Sequence, residues 1–276
     1  MNNRVSFHIQ HNAKPNYLER ILSYASQTDF FDAGQAELDL ANEGEIVIKG
    51  GVQRTLDVAN KLGLITKITT SKYKIEALGL VLGKLALYKH DVYSDVIHYL
   101  FYALWEINNH QDYWSWSYSK ICDLYWQNRP EIANRSAMFG QLSAMARDTF
   151  PALTPAVGTE TIDAVSNWLK AINPPFFIVD DNNRIISCKD RDWFSPELAL
   201  LSISYLYTIK KVSISTPILL DKTIIDLLTP LSLTSQETIM SMIEIASKTY
   251  PFLEIHTGEW GSSIILTKAL DITMIG

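Results

Sequence analysis

The chain has 276 residues, 47% hydrophobic and 20% charged, with a formal net charge of −6. These are the proportions of an ordered globular protein, and the negative total excludes one that coats nucleic acid non-specifically, which needs cations over many phosphates. No apolar run has the length of a signal-peptide core or a membrane span, and Cys122 and Cys188 stand in no metal-binding or disulfide pattern, so the expectation is a cytoplasmic chain with two buried thiols and no membrane contact.

Pro15 suits a helix start, and Tyr17, Leu18, Ile21, Leu22 and Ala25 follow at helical spacing. A short second helix is predicted over 33–41, then a brief strand Ile46-Val47-Ile48 ended by Gly50-Gly51. Val52, Leu56, Val58, Ala59 and Leu62 predict a third helix that stops at Gly63. Lys67 to Ile75 holds β-prone residues around Thr69-Thr70-Ser71, the pattern of a two-stranded wing, and a further helix starts at Ala77. This order resembles that of prokaryotic winged-helix regulators.

Charge is unevenly placed. Residues 28–46 hold six acidic residues and no basic one, whereas 49–76 hold Lys49, Arg54, Lys61, Lys67, Lys72 and Lys74 against only Asp57 and Glu76. Once the apolar stripe of the third helix is buried, Gln53, Arg54, Asp57, Asn60 and Lys61 remain outward, the residue types that read base edges in a major groove. Arg54 fits a guanine edge, and Lys49, Lys61, Lys67, Lys72 and Lys74 fit phosphates. The alternative is a solvated basic face on a protein-docking unit.

The stretch 99–126 holds ten aromatic residues, among them Tyr99, Phe101, Tyr102, Trp105, Trp114, Trp116 and Trp126. Val92 to Ile107 is apolar nearly all round, which predicts a buried helix and a hydrophobic hub. A stacking platform for single-stranded bases is the other reading, but it lacks interleaved cations.

Two later segments each pair a helix with a hairpin. Glu160-Thr161-Ile162 opens a helical run that ends at Pro174-Pro175-Phe176, followed by strands 176–179 and 184–188 around an Asp180 to Asn183 turn. Glu237-Thr238-Ile239 opens another that ends at Pro251-Phe252, followed by strands 253–256 and 262–266. The shared Glu-Thr-Ile and Pro-Phe marks hint at a repeated unit. Both segments carry more acidic than basic residues, which points to protein contact or structural support and not to phosphate binding.

Catalytic motifs are missing. The chain has no HExxH, GxxxxGK[ST], GxSxG or GxGxxG. His8 and His11 are spaced for one helix face but have no Cys or acidic partner, and Asp180 or Asp181 before Ser187-Cys188-Lys189 lacks the second acidic residue of a nuclease strand. The expectation is a non-enzyme with no cofactor and no metal.

Phe7 and His11, Gly51 with Leu56 and Leu62-Gly63-Leu64-Ile65, Leu78-Gly79, Leu100 to Glu106, Trp114-Ser115-Trp116, and Ser195-Pro196-Glu197-Leu198 with Leu200-Leu201 together resemble a family of winged-helix proteins encoded beside DNA phosphorothioation and related bacterial anti-phage systems. The resemblance implies a DNA-associated or complex-assembling accessory role and carries over no catalytic residue. The fold expected is mainly α with small β-hairpins: a winged helix-turn-helix domain over 1–90, an aromatic-rich helical part over 91–155, and a helical domain over 156–276 with two winged-helix-like units. The function expected is DNA binding and assembly within a DNA-directed complex, on double-stranded DNA and partner subunits; the alternative is a protein-binding scaffold docked on an ATPase or nuclease.

Overall fold

Pro15 does open the first helix, and the N-terminal elements follow in the order β1 (Arg4–Ser6), α1 (Pro15–Ala25), β2 (Phe30–Asp32), α2 (Ala33–Asn42), α3 (Gly51–Lys61), β3 (Ile65–Lys67) and β4 (Lys72–Ile75). The computed structural model describes residues 4–9, 13–28, 30–44, 50–132, 134–259 and 261–275. The expected strand at Ile46 to Ile48, together with His11 and Lys49, lies outside the described residues. The fold is mainly helical, with 57% of residues in helix, and its sheets are small.

The hairpin after α3 gains a third strand that the sequence reading omitted. β2 pairs antiparallel with β4 to make the order β2-β4-β3, with Phe31 opposite Tyr73 and Lys67 opposite Tyr73 on the other side. Three residues are too few to show a period of two, and the acidic surroundings hid them. What places β2 is Phe31, buried with its ring 5.7 Å from that of Tyr73. Asp32 then ends the strand and caps α2 through the Gly34 N–H at 2.8 Å.

The chain continues through α4 (Ala77–Tyr88), α5 (His90–Ile107), α6 (Tyr113–Asn128), α7 (Arg135–Thr149), β5 (Thr154–Ala156), α8 (Thr159–Lys170), β6 (Phe177–Val179) and β7 (Ile185–Cys188). β1 and β5 form a parallel pair, and β6 and β7 form the expected hairpin. The last third is α9 (Pro196–Lys210), β8 (Ile218–Leu219), α10 (Lys222–Ser232), α11 (Gln236–Thr249), β9 (Leu253–Gly258), β10 (Gly261–Leu266) and a 3-10 turn at Ile272–Met274. Its sheet runs β8-β10-β9. Helix, strand, helix, helix, strand, strand, with the last strand central, is therefore the plan at both ends of the chain.

α4 seats the N-terminal elements by close backbone approach. A Cβ added at Gly79 would stand 2.1 Å from the Leu64 carbonyl oxygen, and one at Gly83 would stand 2.4 Å from that of Leu22. Only glycine lets α4 lie this near α1 and the turn after α3. The C-terminal elements are tied in differently, by a buried ion pair. Arg191 donates to Asp95 on α5 at 2.6 Å, both side chains are wholly buried, and the same guanidinium donates to the carbonyls of Asn173, Pro174 and Ser232. The second Asp95 oxygen accepts the Ser195 N–H at 2.7 Å. Every charge-bearing atom of the pair thus has a partner, which a charge removed from water requires.

The aromatic stretch forms the hub. Tyr99, Phe101, Tyr102, Trp114, Trp116, Tyr118, Tyr125 and Trp126 are buried, and Phe101 packs within 5.7 Å of the rings of Trp114, Tyr118 and Trp168. Rings held this way have no face left for a nucleobase, so the stacking-platform reading is set aside. Cys122 and Cys188 are buried free thiols, and burial pushes both above the ordinary thiol range, Cys188 to about 11. No helix among the described residues is long and apolar enough to cross a membrane.

Candidate nucleic-acid interface

Gly50, at φ 72°, turns the chain into α3, whose inner face buries Val52, Thr55, Leu56, Val58 and Ala59. Thr55 locks this face: its hydroxyl donates to the Gly51 carbonyl at 2.8 Å and accepts the Lys14 N–H at 3.2 Å. The stripe therefore turns Gln53, Arg54, Asp57, Asn60 and Lys61 outward, Asn60 and Lys61 exposed and the other three half-buried.

Two hydrogen bonds join this face to the hairpin, and a third contact lies within the hairpin itself. Gln53 donates its amide to the Tyr73 hydroxyl at 2.6 Å and to Asp57 at 3.1 Å. The Asn60 side-chain oxygen accepts the Lys67 N–H at 3.2 Å. The Lys67 ammonium lies 6.0 Å from the Tyr73 ring centroid, within reach of a cation–π contact. Gln53, Asn60 and Lys67 are thus brought together with Arg54 and Lys61 on the same helix.

Lys72 and Lys74 are not brought to that face. Along β4 the burial alternates, with Tyr73 and Ile75 buried and Lys72 and Lys74 exposed, so these lysines leave the opposite side of the sheet, beside Phe30 and Thr66 in the ladder. The sequence reading assigned Lys67, Lys72 and Lys74 alike to phosphates; a side-chain period of two divides them between two faces. Lys72 sits opposite Asp32, whose carboxyl is held below the usual range by the Ser71 hydroxyl first, then the Gly34 N–H, with Lys72 a smaller contributor.

Arg54, Lys61 and Lys74 form no ion pair with any described residue, whereas Arg20, Arg129, Arg135 and Arg191 each hold a carboxylate. The unpaired cations of α3 are open to an external anion. Sequence reasoning missed Tyr73, which orients Gln53, and Asp32, which caps α2 and meets the turn end of the hairpin through Ser71; the signal for Tyr73 was its place between two lysines in a strand of period two.

The other candidates dissolve into local structure. Asp180 accepts the N–H groups of Asn182 and Arg184 at 2.9 and 2.7 Å, the duty of a hairpin-turn carboxylate. His8 contacts the Thr161 hydroxyl, and His11 is not described. No group of three or more His, Cys, Asp or Glu side chains among the described residues is placed to hold a metal ion.

At the C-terminal end, α11 occupies the place of α3. Its exposed residues are Gln236, Glu237, Ser241, Glu244, Ile245, Lys248 and Thr249, so its outward charges are two carboxylates and one ammonium, against the two cations and one carboxylate, Asp57, of α3. Comparison with known proteins finds no matching family model, no matching curated protein and no matching solved structure.

Proposed function

We propose that the N-terminal elements are a winged helix-turn-helix that seats α3 in the major groove of duplex DNA, and that the chain is a non-enzymatic DNA-binding and assembly component of a bacterial DNA-directed complex of the anti-phage type. The observation that carries this reading is the outward face of α3, where Arg54 and Lys61 form no ion pair with a described residue, beside a hairpin joined on by Lys67. Arg54 addresses a base edge, while Lys61 and Lys67 take phosphates. Gln53, committed to Tyr73 and Asp57, positions the hairpin more than it reads a base. Lys72 and Lys74, on the far side of the sheet, reach only phosphates that flank the groove.

The remainder of the chain supports assembly by protein contact. α11 presents carboxylates and the exposed Ile245, and the β6–β7 hairpin leaves Ile178, Val179 and Ile186 exposed. An anisotropy titration of the full chain with a labelled duplex at several salt concentrations tests the reading. Affinity is expected to fall with a log–log slope set by the two or three lysines engaged, about −0.9 per phosphate neutralised, and to fall further in Arg54→Ala. Binding that is absent at low salt, or indifferent to both, overturns it in favour of a protein-binding scaffold.

A further inference from the structure

Behind the N-terminal sheet, α4 carries an apolar face that the described residues leave open beyond the 3-10 turn at its edge. Tyr88 is 82% exposed, Leu87 53% and Leu80 37%. Beside them opens a groove of about 270 Å³ lined by Val81, Lys84, Leu85, Tyr88, Lys89 and Thr273. Among the described residues its charged lining groups are two ammoniums, and neither Lys84 nor Lys89 has an ion pair with a described residue. An apolar centre with a cationic rim, one exposed tyrosine standing over it, has the composition of an interface and selects an acidic partner.

The matching surface is on the same chain. α2 buries Ala36 and Leu40 and leaves Leu38 on its other side, 60% exposed. Gly34 and Ala41 lie one turn before and after Leu38 on that side, so the leucine projects between small residues. Glu37 flanks it with no ion pair among the described residues, and the segment 28–46 contains no lysine or arginine; Glu43, on the Ala36 and Leu40 side of the helix, is already paired with Arg20. With Leu38 exposed and its own α4 groove open, the two surfaces meet only between separate copies.

We propose that the α4 groove receives α2 of a second copy, with Leu38 against Tyr88 and Leu87 and with Glu37 facing Lys84 and Lys89. Each copy engages one neighbour through its groove and another through its α2, so the assembly runs head to tail and extends into a ring or filament, unlike a reciprocal two-fold pair, which closes as a dimer. It does not rest on the proposed DNA contact, since none of these residues belongs to the α3 face.

Sedimentation of the full chain over a wide concentration range tests it. The wild-type mass is expected to rise beyond that of a dimer, while Leu38→Glu and Tyr88→Glu, both at exposed positions and checked for unchanged thermal melts, each stay monomeric. Each variant keeps one good surface. An equimolar mixture of the two is therefore expected to form a dimer that grows no further. A wild type that stays monomeric, association that survives either substitution, or a mixture that stays monomeric overturns the proposal; the last of these outcomes marks a symmetric dimer instead. Duplex binding by both variants separates this result from the DNA reading.

Discussion

The two ends of this chain share a plan and differ in what they present. α1 to β4 and α9 to β10 place helices and strands in the same order with the last strand at the centre of the sheet. Yet α3 turns Arg54 and Lys61 outward against one carboxylate, Asp57, whereas α11 turns Glu237 and Glu244 outward against one ammonium, Lys248. The buried stripes build the scaffold and tolerate any outward residue, so the exposed remainder is free to acquire opposite charge and a different partner. The ends also differ in attachment, the first through glycine-permitted backbone contact and the second through a buried ion pair.

Breaking the second attachment has the largest expected effect. Asp95→Ala leaves Arg191 charged, buried and short of its acceptor, and is expected to cost about 3–5 kcal/mol in urea unfolding. Close by, His98 is neutral. Its Nε2 lies 2.7 Å from the Leu231 carbonyl, which can only accept, so Nε2 carries the hydrogen and Nδ1 accepts from the Tyr118 hydroxyl at 2.9 Å. Burial first, then the Arg191 charge, pushes this imidazole down to about 3. The unfolded chain therefore takes up the proton first as pH falls. The contribution of His98 is complete above about pH 6.5 and is lost on the way down towards pH 3, about 2 kcal/mol between pH 7 and pH 5. Urea melts at those two pH values check this, and His98→Gln should remove that part of the slope.

The first attachment is probed by Gly79→Ala. Its methyl must displace the Leu64 carbonyl, and a loss of about 1–3 kcal/mol is expected in thermal or urea unfolding. On the two outward faces, Arg54→Ala should weaken duplex binding by about 1–2 kcal/mol, with Glu237→Ala as the control that changes nothing. The smallest effect is that of Lys67→Ala, which should lower the salt-dependence slope by about 1. An Arg54 variant that binds like wild type would remove the functional distinction between α3 and α11.

What the sequence by itself determined was local. Helical spacing of Tyr17 to Ala25 and of Val52 to Leu62, the Gly63 stop, and the hairpins after the 160 and 237 helices are all present in the structure, because each is set by periodicity and turn chemistry over a few neighbouring residues. The burial of the aromatic hub was legible for the same reason: a helix apolar all round has only one stable environment. Tertiary structure alone decided the rest. β2 exists because Phe31 finds Tyr73 some forty residues away, and the Asp95–Arg191 pair, 96 residues apart, has no signature in either segment. The division of the wing lysines between two faces also waited for register, since a strand shows its alternation in sequence but not which side a distant helix will cover.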